Sequence, residues 1–455
     1  MILSAVAGLM SLMAASPQSF VLNLDTNVHD VTAKDISGDG IAELLVLCCD
    51  EKSRPLVKYL AVFEPGPDGA YPGTPTARLD LDPSISTIFF AQTDQTPAVE
   101  LVAADGEGAV IYSYSGGKFV TMASPRFSSL LPTGAKDPTF YTDIAKDLDG
   151  DKIDEWIIPV PGGFEIRSPQ NSITRIACDI VSEMTLSNSA YIYHRLPACH
   201  AFDLDGEPKK CLAFLSDEVA DFAHGLDWGT RQRFEIPLNV DDKWEASSRM
   251  TDINGDGFPD LVVTQTRGTI NMKAITQVYL ATAPFTYPQK PDAVFEAAGG
   301  LAAPAFVDVD GDDKKDMILI QVPLGVRNII NFFTRHKVSV RLEVYLLKDG
   351  RFGNKPNFTE SFTLDAPDGL ERVAYTLGDF NGDDRIDLAF AAGRDRLVIH
   401  TGSADAFISS RPWVGFDIPA FGVARAYDLN NNVAKDLVIH HPGGDNKKRI
   451  DVIVF

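Results

Sequence analysis

Nine residues, Asp252-Ile253-Asn254-Gly255-Asp256-Gly257-Phe258-Pro259-Asp260, carry side-chain oxygens at their first, third, fifth and ninth positions around a glycine turn. Several hard oxygen donors on one short loop, with neither His nor Cys among them, have the chemistry of a Ca2+ site. Zinc prefers nitrogen and sulfur, and Mg2+ keeps more of its water. An EF-hand would place its glycine sixth and its glutamate twelfth between helices, so this is a different loop. Taken alone it is equally well explained as an Asp/Gly turn bonding to its own backbone. Recurrence in register separates the two readings.

The loop recurs. Asp35, Ser37, Asp39 and Glu43 hold the same four offsets, as do Asp147, Asp149, Asp151 and Glu155. Asp308, Asp310, Asp312 and Asp316 follow, then Asp379, Asn381, Asp383 and Asp387. With Asp252, Asn254, Asp256 and Asp260 these are the candidate metal ligands, making about five structural Ca2+ sites. Three further copies are worn. Gln92, Asp94, Thr96 and Glu100 keep the offsets with little charge; Asp203, Asp205 and Glu207 lead to Cys211 where the closing carboxylate belongs. Asp428, Asn430, Asn432 and Asp436 have lost the glycine and one charge. Affinity for a hard cation follows ligand charge, so occupancy is expected only in the intact loops.

The loops begin at residues 35, 92, 147, 203, 252, 308, 379 and 428, in steps of 49 to 57 residues with one of 71. Such regularity marks one repeat array rather than several unrelated domains. Each loop follows an extended stretch and runs into a nearly continuous apolar segment, as in Met317-Ile318-Leu319-Ile320. Continuous apolar strands are buried on both faces, which is what stacking one small sheet on the next produces. A unit of this length holds four short strands, and four-stranded units repeated radially make a β-propeller. The expected fold is all-β, an eight-bladed propeller over residues 17–455, with seven blades as the alternative. The last unit has sequence for three strands, and residues 20–24 can supply the fourth, which would pair the chain ends and remove open sheet edges.

The formal net charge is -22. That argues against a nucleic-acid partner, which would need Lys and Arg gathered on a face. Five filled sites would leave about -12. Residues 1–16 read as an apolar signal peptide, without a preceding Lys or Arg, giving an exported protein that is periplasmic, extracellular or at the cell surface. An apolar N-terminal tail is the other reading. No other stretch has the roughly 20 apolar residues of a membrane helix, so no membrane insertion of the mature chain is expected. Of five cysteines, Cys199 and Cys211 flank one loop on adjacent strands, where a local disulfide is open to them; buried free thiols are the alternative.

The pattern D-x-D/N-G-D-x-x-x-D followed by apolar residues resembles the FG-GAP/VCBS repeat of the integrin α-chain propeller and of many exported bacterial proteins. The resemblance covers residues 20–455. It implies Ca2+ held between the first two strands of a blade by the four aligned side chains and the backbone carbonyl of the seventh loop residue. For function it implies a binding or adhesion module for a protein or glycan ligand; a polysaccharide-lyase-like carbohydrate-active enzyme and a surface scaffold are the alternatives. Two basic inserts, 266–273 with Arg267 and Lys273, and 321–340 with Arg327, Arg335, His336 and Lys337 among Ile329, Ile330, Phe332 and Phe333, follow second strands. In a propeller they lie on the face opposite the acid loops, where a docking rim and plain long hairpins are both open readings. No catalytic constellation emerges: His194, His200, His224, His336, His400, His440 and His441 are scattered, and the tryptophans fit core positions as well as sugar platforms.

Overall fold

The computed structural model describes residues 16–168, 172–186, 190–238, 244–268, 273–298, 300–301, 304–322, 334–368, 371–403 and 405–455. Its named elements are strands: eight blades of antiparallel strands arranged in a ring, two separate two-stranded hairpins, and a short strand, Thr139–Phe140, that pairs parallel to Thr87–Ala91. The blades span residues 27–81, 87–123, 145–177, 198–235, 245–298, 300–365, 375–416 and 423–454, numbered 1 to 8. Blade 8 is completed by Gln18–Asn23, paired antiparallel to Arg449–Val454 with Gln18 opposite Val454 and Asn23 opposite Arg449. The strand expected at 20–24 therefore closes the ring, starting two residues earlier.

The apolar runs explain the stacking. In the second strand of blade 1, Glu43–Asp50, the residues Leu44, Val46 and Cys48 pack toward blade 8 while Leu45 and Leu47 pack toward blade 2. Alternating side chains leave opposite faces of a strand, so a strand between two neighbours must be apolar at both parities. The same division gives a core between every consecutive pair of blades, including blades 8 and 1. These are the cores of an eight-bladed β-propeller, which removes the seven-bladed alternative. Full burial of a residue such as Leu45 contributes about 1.5–3 kcal/mol.

Some features escaped the sequence. A separate hairpin, Val181–Leu186 with Ala190–Arg195, stands between blades 3 and 4. It is hidden in the spacing because short turns make blade 3 compact, with Val160 already opposite Gly163. A second hairpin, Leu347–Lys348 with Arg351–Phe352, joins the third and fourth strands of blade 6 and accounts for part of the 71-residue step.

The register excludes a Cys199–Cys211 disulfide. Cys199 is opposite Phe214 and Cys211 opposite Phe202, and the two side chains lie on opposite faces of blade 4, toward blades 3 and 5 respectively. All five cysteines are free thiols.

Candidate metal centres

Every acid loop connects the first strand of its blade to the second, so all lie on one face of the ring. In the five intact copies the chain turns through two left-handed residues, at the fourth and sixth positions: Gly38 and Gly40, Gly150 and Lys152, Gly255 and Gly257, Gly311 and Asp313, Gly382 and Asp384. Glycine takes a positive φ without the Cβ clash that other residues meet, and it holds the fourth position in each case. In the worn loop of blade 8 Asn431 adopts φ 56° at that position, the substitution the left-handed region tolerates best.

The carboxylates organise the turn. The first aspartate accepts backbone N–H bonds from the fourth and sixth residues: Asp35 from Gly38 (2.6 Å) and Gly40 (2.8 Å), Asp252 from Gly255 (2.8 Å) and Gly257 (3.0 Å), Asp379 from Gly382 (2.7 Å) and Asp384 (2.8 Å). Asp147 and Asp308 repeat the pattern. The fifth-position aspartate accepts from the seventh residue, as Asp39 does from Ile41 (2.8 Å), Asp151 from Ile153 (2.8 Å), Asp256 from Phe258 (2.8 Å), Asp312 from Lys314 (3.1 Å) and Asp383 from Arg385 (3.1 Å). The bare-turn reading is thus realised, and it is compatible with a cation: a carboxylate oxygen that accepts one N–H keeps a second lone pair.

The ninth acid has a role that the ligand pattern did not reveal. It is buried, and one oxygen accepts the N–H of the second loop residue, from Ile36 to Glu43, Leu148 to Glu155, Ile253 to Asp260, Val309 to Asp316 and Phe380 to Asp387, at 2.8–3.0 Å. In blades 5 to 8, where this acid is Asp, the other oxygen accepts an N–H beyond or at the end of the third strand: Ala281, Leu347, Gly402 and Phe455 at 2.7–2.9 Å. The ninth aspartate therefore clamps three strands of its own blade. The only trace of this in sequence is the choice of Asp over Glu. Burial pushes Glu155 and Asp260 up to about 7, and Asp316, Asp387 and Asp436 up to about 6.

Three intact loops gather three acidic ligand atoms within 4.8 Å of one another: Asp35, Asp39 and Glu43; Asp147, Asp149 and Glu155; Asp308, Asp310 and Asp316. In blades 5 and 7 the third position is an amide, and Asn254 and Asn381 donate to the fifth-position acids Asp256 (2.9 Å) and Asp383 (3.1 Å). Ser37 donates weakly to Asp35 (3.4 Å). Two loops also meet a lysine: Lys209 lies 3.5 Å from Asp149, and Lys348, on the extra hairpin of blade 6, bonds Asp310. No Lys or Arg pairs with the loop acids of blades 1, 5 and 7 among the described residues.

The worn loops fill the same space with protein donors. The Gln92 amide donates to the carbonyls of Asp94 and Thr96, both at 2.6 Å. In blade 4 Glu207 turns away to His224 (3.0 Å) and the Gly225 N–H (2.9 Å), and Lys210 approaches Asp203 at 3.9 Å. In blade 8 the amides of Asn430 and Asn432 both donate to the Phe455 carbonyl (3.1 and 2.7 Å).

Loops of successive blades are also tied together. The eighth residue of one donates its N–H to the first or second carbonyl of the loop before: Asp154 to Gln92, Lys210 to Leu148, Lys315 to Ile253 and Lys435 to Asp379, at 2.6–2.8 Å. Whatever stiffens one loop stiffens the neighbouring blade interface.

On the opposite face Arg267 pairs in register with Lys273 and lies 6.0 Å over the Trp244 ring. Arg335 and His336 are exposed or nearly so, and Lys337 is bound to Asp365. Arg327, Ile329, Ile330, Phe332 and Phe333 lie outside the described residues. Trp156 and Trp228 are buried core, and Trp413 stacks on Phe455 at 5.8 Å. Ser182 Oγ meets His194 Nδ1 at 2.9 Å on the exposed hairpin, with no carboxylate on that histidine among the described residues. A buried network missed by sequence reading sits in blade 8, where Asp451 receives Arg449 and meets His441 at 3.0 Å.

Ring and loops together define an eight-bladed β-propeller with repeated acidic turns. Residues 252–319, the loop of blade 5 through the second strand of blade 6, match the family described as FG-GAP-like repeat. No curated protein matches the chain. Among solved structures it is similar to a chain of BBS1N in complex with ARL6DN, soaked with mercury, at 10% identity over 96% of this chain and 95% of that one, TM-score 0.37. It is also similar to the V. cholerae biofilm matrix protein Bap1, at 12% identity over 93% of this chain and 76% of that one, TM-score 0.25.

Proposed function

We propose that this propeller is an exported binding or adhesion module whose blades are locked by Ca2+ in the five intact loops. The observation that carries the metal assignment is the common loop geometry, with three acidic ligand atoms converging within 4.8 Å in three copies. The donor set fits: hard carboxylate and amide oxygens, a turn that points them together, and spare lone pairs on oxygens already holding backbone N–H groups. The holders would be Asp35, Ser37, Asp39 and Glu43, with their counterparts in blades 3, 5, 6 and 7. A bound Ca2+ neutralises crowded carboxylates, and because it binds only the folded turn its binding energy adds to folding stability.

The match over residues 252–319 to an FG-GAP-like repeat supports an interaction module. The working surface on this reading is the face opposite the acid loops, and its ligand a protein or glycan. Glycan and surface-protein arrays probed with purified chain, with and without Ca2+, test it. Calcium-dependent capture without turnover is expected; chemical conversion of a captured glycan would overturn the module reading.

A further inference from the structure

Blades 6 and 7 are unequal. The second, third and fourth strands of blade 6 are Asp316–Val322, Lys337–Tyr345 and Phe358–Asp365, of 7, 9 and 8 residues. Those of blade 7 are Asp387–Gly393, Arg396–His400 and Val414–Phe416, of 7, 5 and 3 residues. The strands of blade 6 are the longer ones at the end away from the acid loops, so blade 7 covers them only in part: Phe362 packs on Phe390 at 4.7 Å between ring centroids, while Ile320, Val338 and Val340 stay partly exposed. The result is a cavity of about 540 Å3 walled by Ile320, Val338, Val340, Phe362, Leu364 and Phe390. The walls from blade 6 obey the two-residue period of a single sheet face, and Phe390 faces them from blade 7, so the apolar lining is continuous. Its size falls within the roughly 300–1,000 Å3 usual for small-molecule sites.

One charge stands on the lining. Arg372 is exposed, and its guanidinium has no hydrogen-bond or ion-pair partner among the described residues. The acid beside it in sequence, Glu371, is already held by Arg394 at 2.6 and 2.8 Å, with Asp368 on the same guanidinium at 2.9 Å. Tyr375, 46% exposed, also lines the cavity, without a partner for its hydroxyl among the described residues. An apolar slot with an unpaired cation and a phenol is complementary to a molecule with an apolar tail and an anionic head.

We propose that the cleft between blades 6 and 7 binds one single-chain anionic amphiphile, a medium-chain fatty carboxylate, with its tail among Val338, Val340, Phe362 and Phe390 and its carboxylate on Arg372. A guanidinium donates two N–H bonds to a carboxylate, and an unpaired one is free to do so.

The test uses purified full-length chain and sodium dodecanoate below its micelle concentration, followed by isothermal titration calorimetry. One molecule binds per chain. Arg372→Gln, an exposed change that leaves the fold intact, weakens binding about tenfold or more. Dodecanol binds wild type and Arg372→Gln equally, because it has no charge for the guanidinium to meet. Val340→Trp, which fills the slot, abolishes uptake of both, and Ile111→Trp, in the unrelated cleft between blades 2 and 3, leaves uptake unchanged and controls for general disturbance of a blade interface. Absence of dodecanoate binding, equal affinity in Arg372→Gln, or association with phospholipid vesicles but not with monomeric dodecanoate would each overturn the assignment.

Discussion

The loops of blades 7 and 8 are neighbours in the ring and were built on one pattern, yet they are held in different ways. In blade 7, Asp379, Asp383 and Asp387 pair with no Lys or Arg among the described residues, and backbone N–H groups and the Asn381 amide are what they bond. In blade 8, Asn432 stands where blade 7 has Asp383, and the amides of Asn430 and Asn432 both reach the Phe455 carbonyl, so side-chain amides tie the loop that carboxylates line in blade 7. Both loops keep the ninth aspartate and its two backbone N–H bonds. The difference teaches that the repeat has two separable parts: a clamp, made by the ninth aspartate in blades 5 to 8, and a charge cluster, which is lost in blade 8 while the clamp stays.

The largest expected effect separates the two parts by removing the metal. Chelation should lower stability by about 2.7 kcal/mol per site for each site previously held at a hundredfold excess over its Kd, read as a fall in the denaturant midpoint. Next comes the clamp. Asp387→Ala strands the N–H groups of Phe380 and Gly402 in a buried site, and should cost about 3 kcal/mol even in chelator. Urea unfolding of the metal-free variant checks it, and a loss seen only with calcium would merge clamp and cluster into one.

A smaller effect is pH dependence. Burial raises Glu155, Asp260, Asp316, Asp387 and Asp436, so the folded metal-free chain holds more protons than the unfolded one. Their contribution is therefore full below about pH 4 and is lost as pH rises through 6 to 7. This is the reverse of ordinary paired carboxylates. Calcium should flatten the slope, measured as unfolding midpoints between pH 4 and 8. Smaller again, Asn432→Ala should cost about 1 kcal/mol with or without calcium, since it removes one hydrogen bond from a loop that needs no ion.

The repeat, the blade count, the closing strand and the double-faced burial were all legible, because each follows from spacing and apolar parity that a sequence displays directly. The spacing marked Asp260 and its relatives as candidate ligands. Their second oxygen was not legible, because its partner, Ala281 or Gly402, is a backbone N–H fifteen or more residues away that carries no side-chain signature. Cys199 and Cys211 misled for a related reason: adjacent strands were read correctly, but which face each thiol takes depends on register. Lys348 could not be placed on Asp310 without the small hairpin that carries it across the blade. The overhang of blade 6 on blade 7 was equally hidden, since strand lengths matter there only relative to one another.

The account's central claim is that wear in the loop sequence decides occupancy. Calcium counting by native mass spectrometry on chain stripped and then reloaded tests it most directly. About five ions per chain are predicted, falling by one in Asp383→Ala and unchanged in Asn432→Ala. Retention of no calcium, or of eight ions with equal loss from either variant, would contradict it.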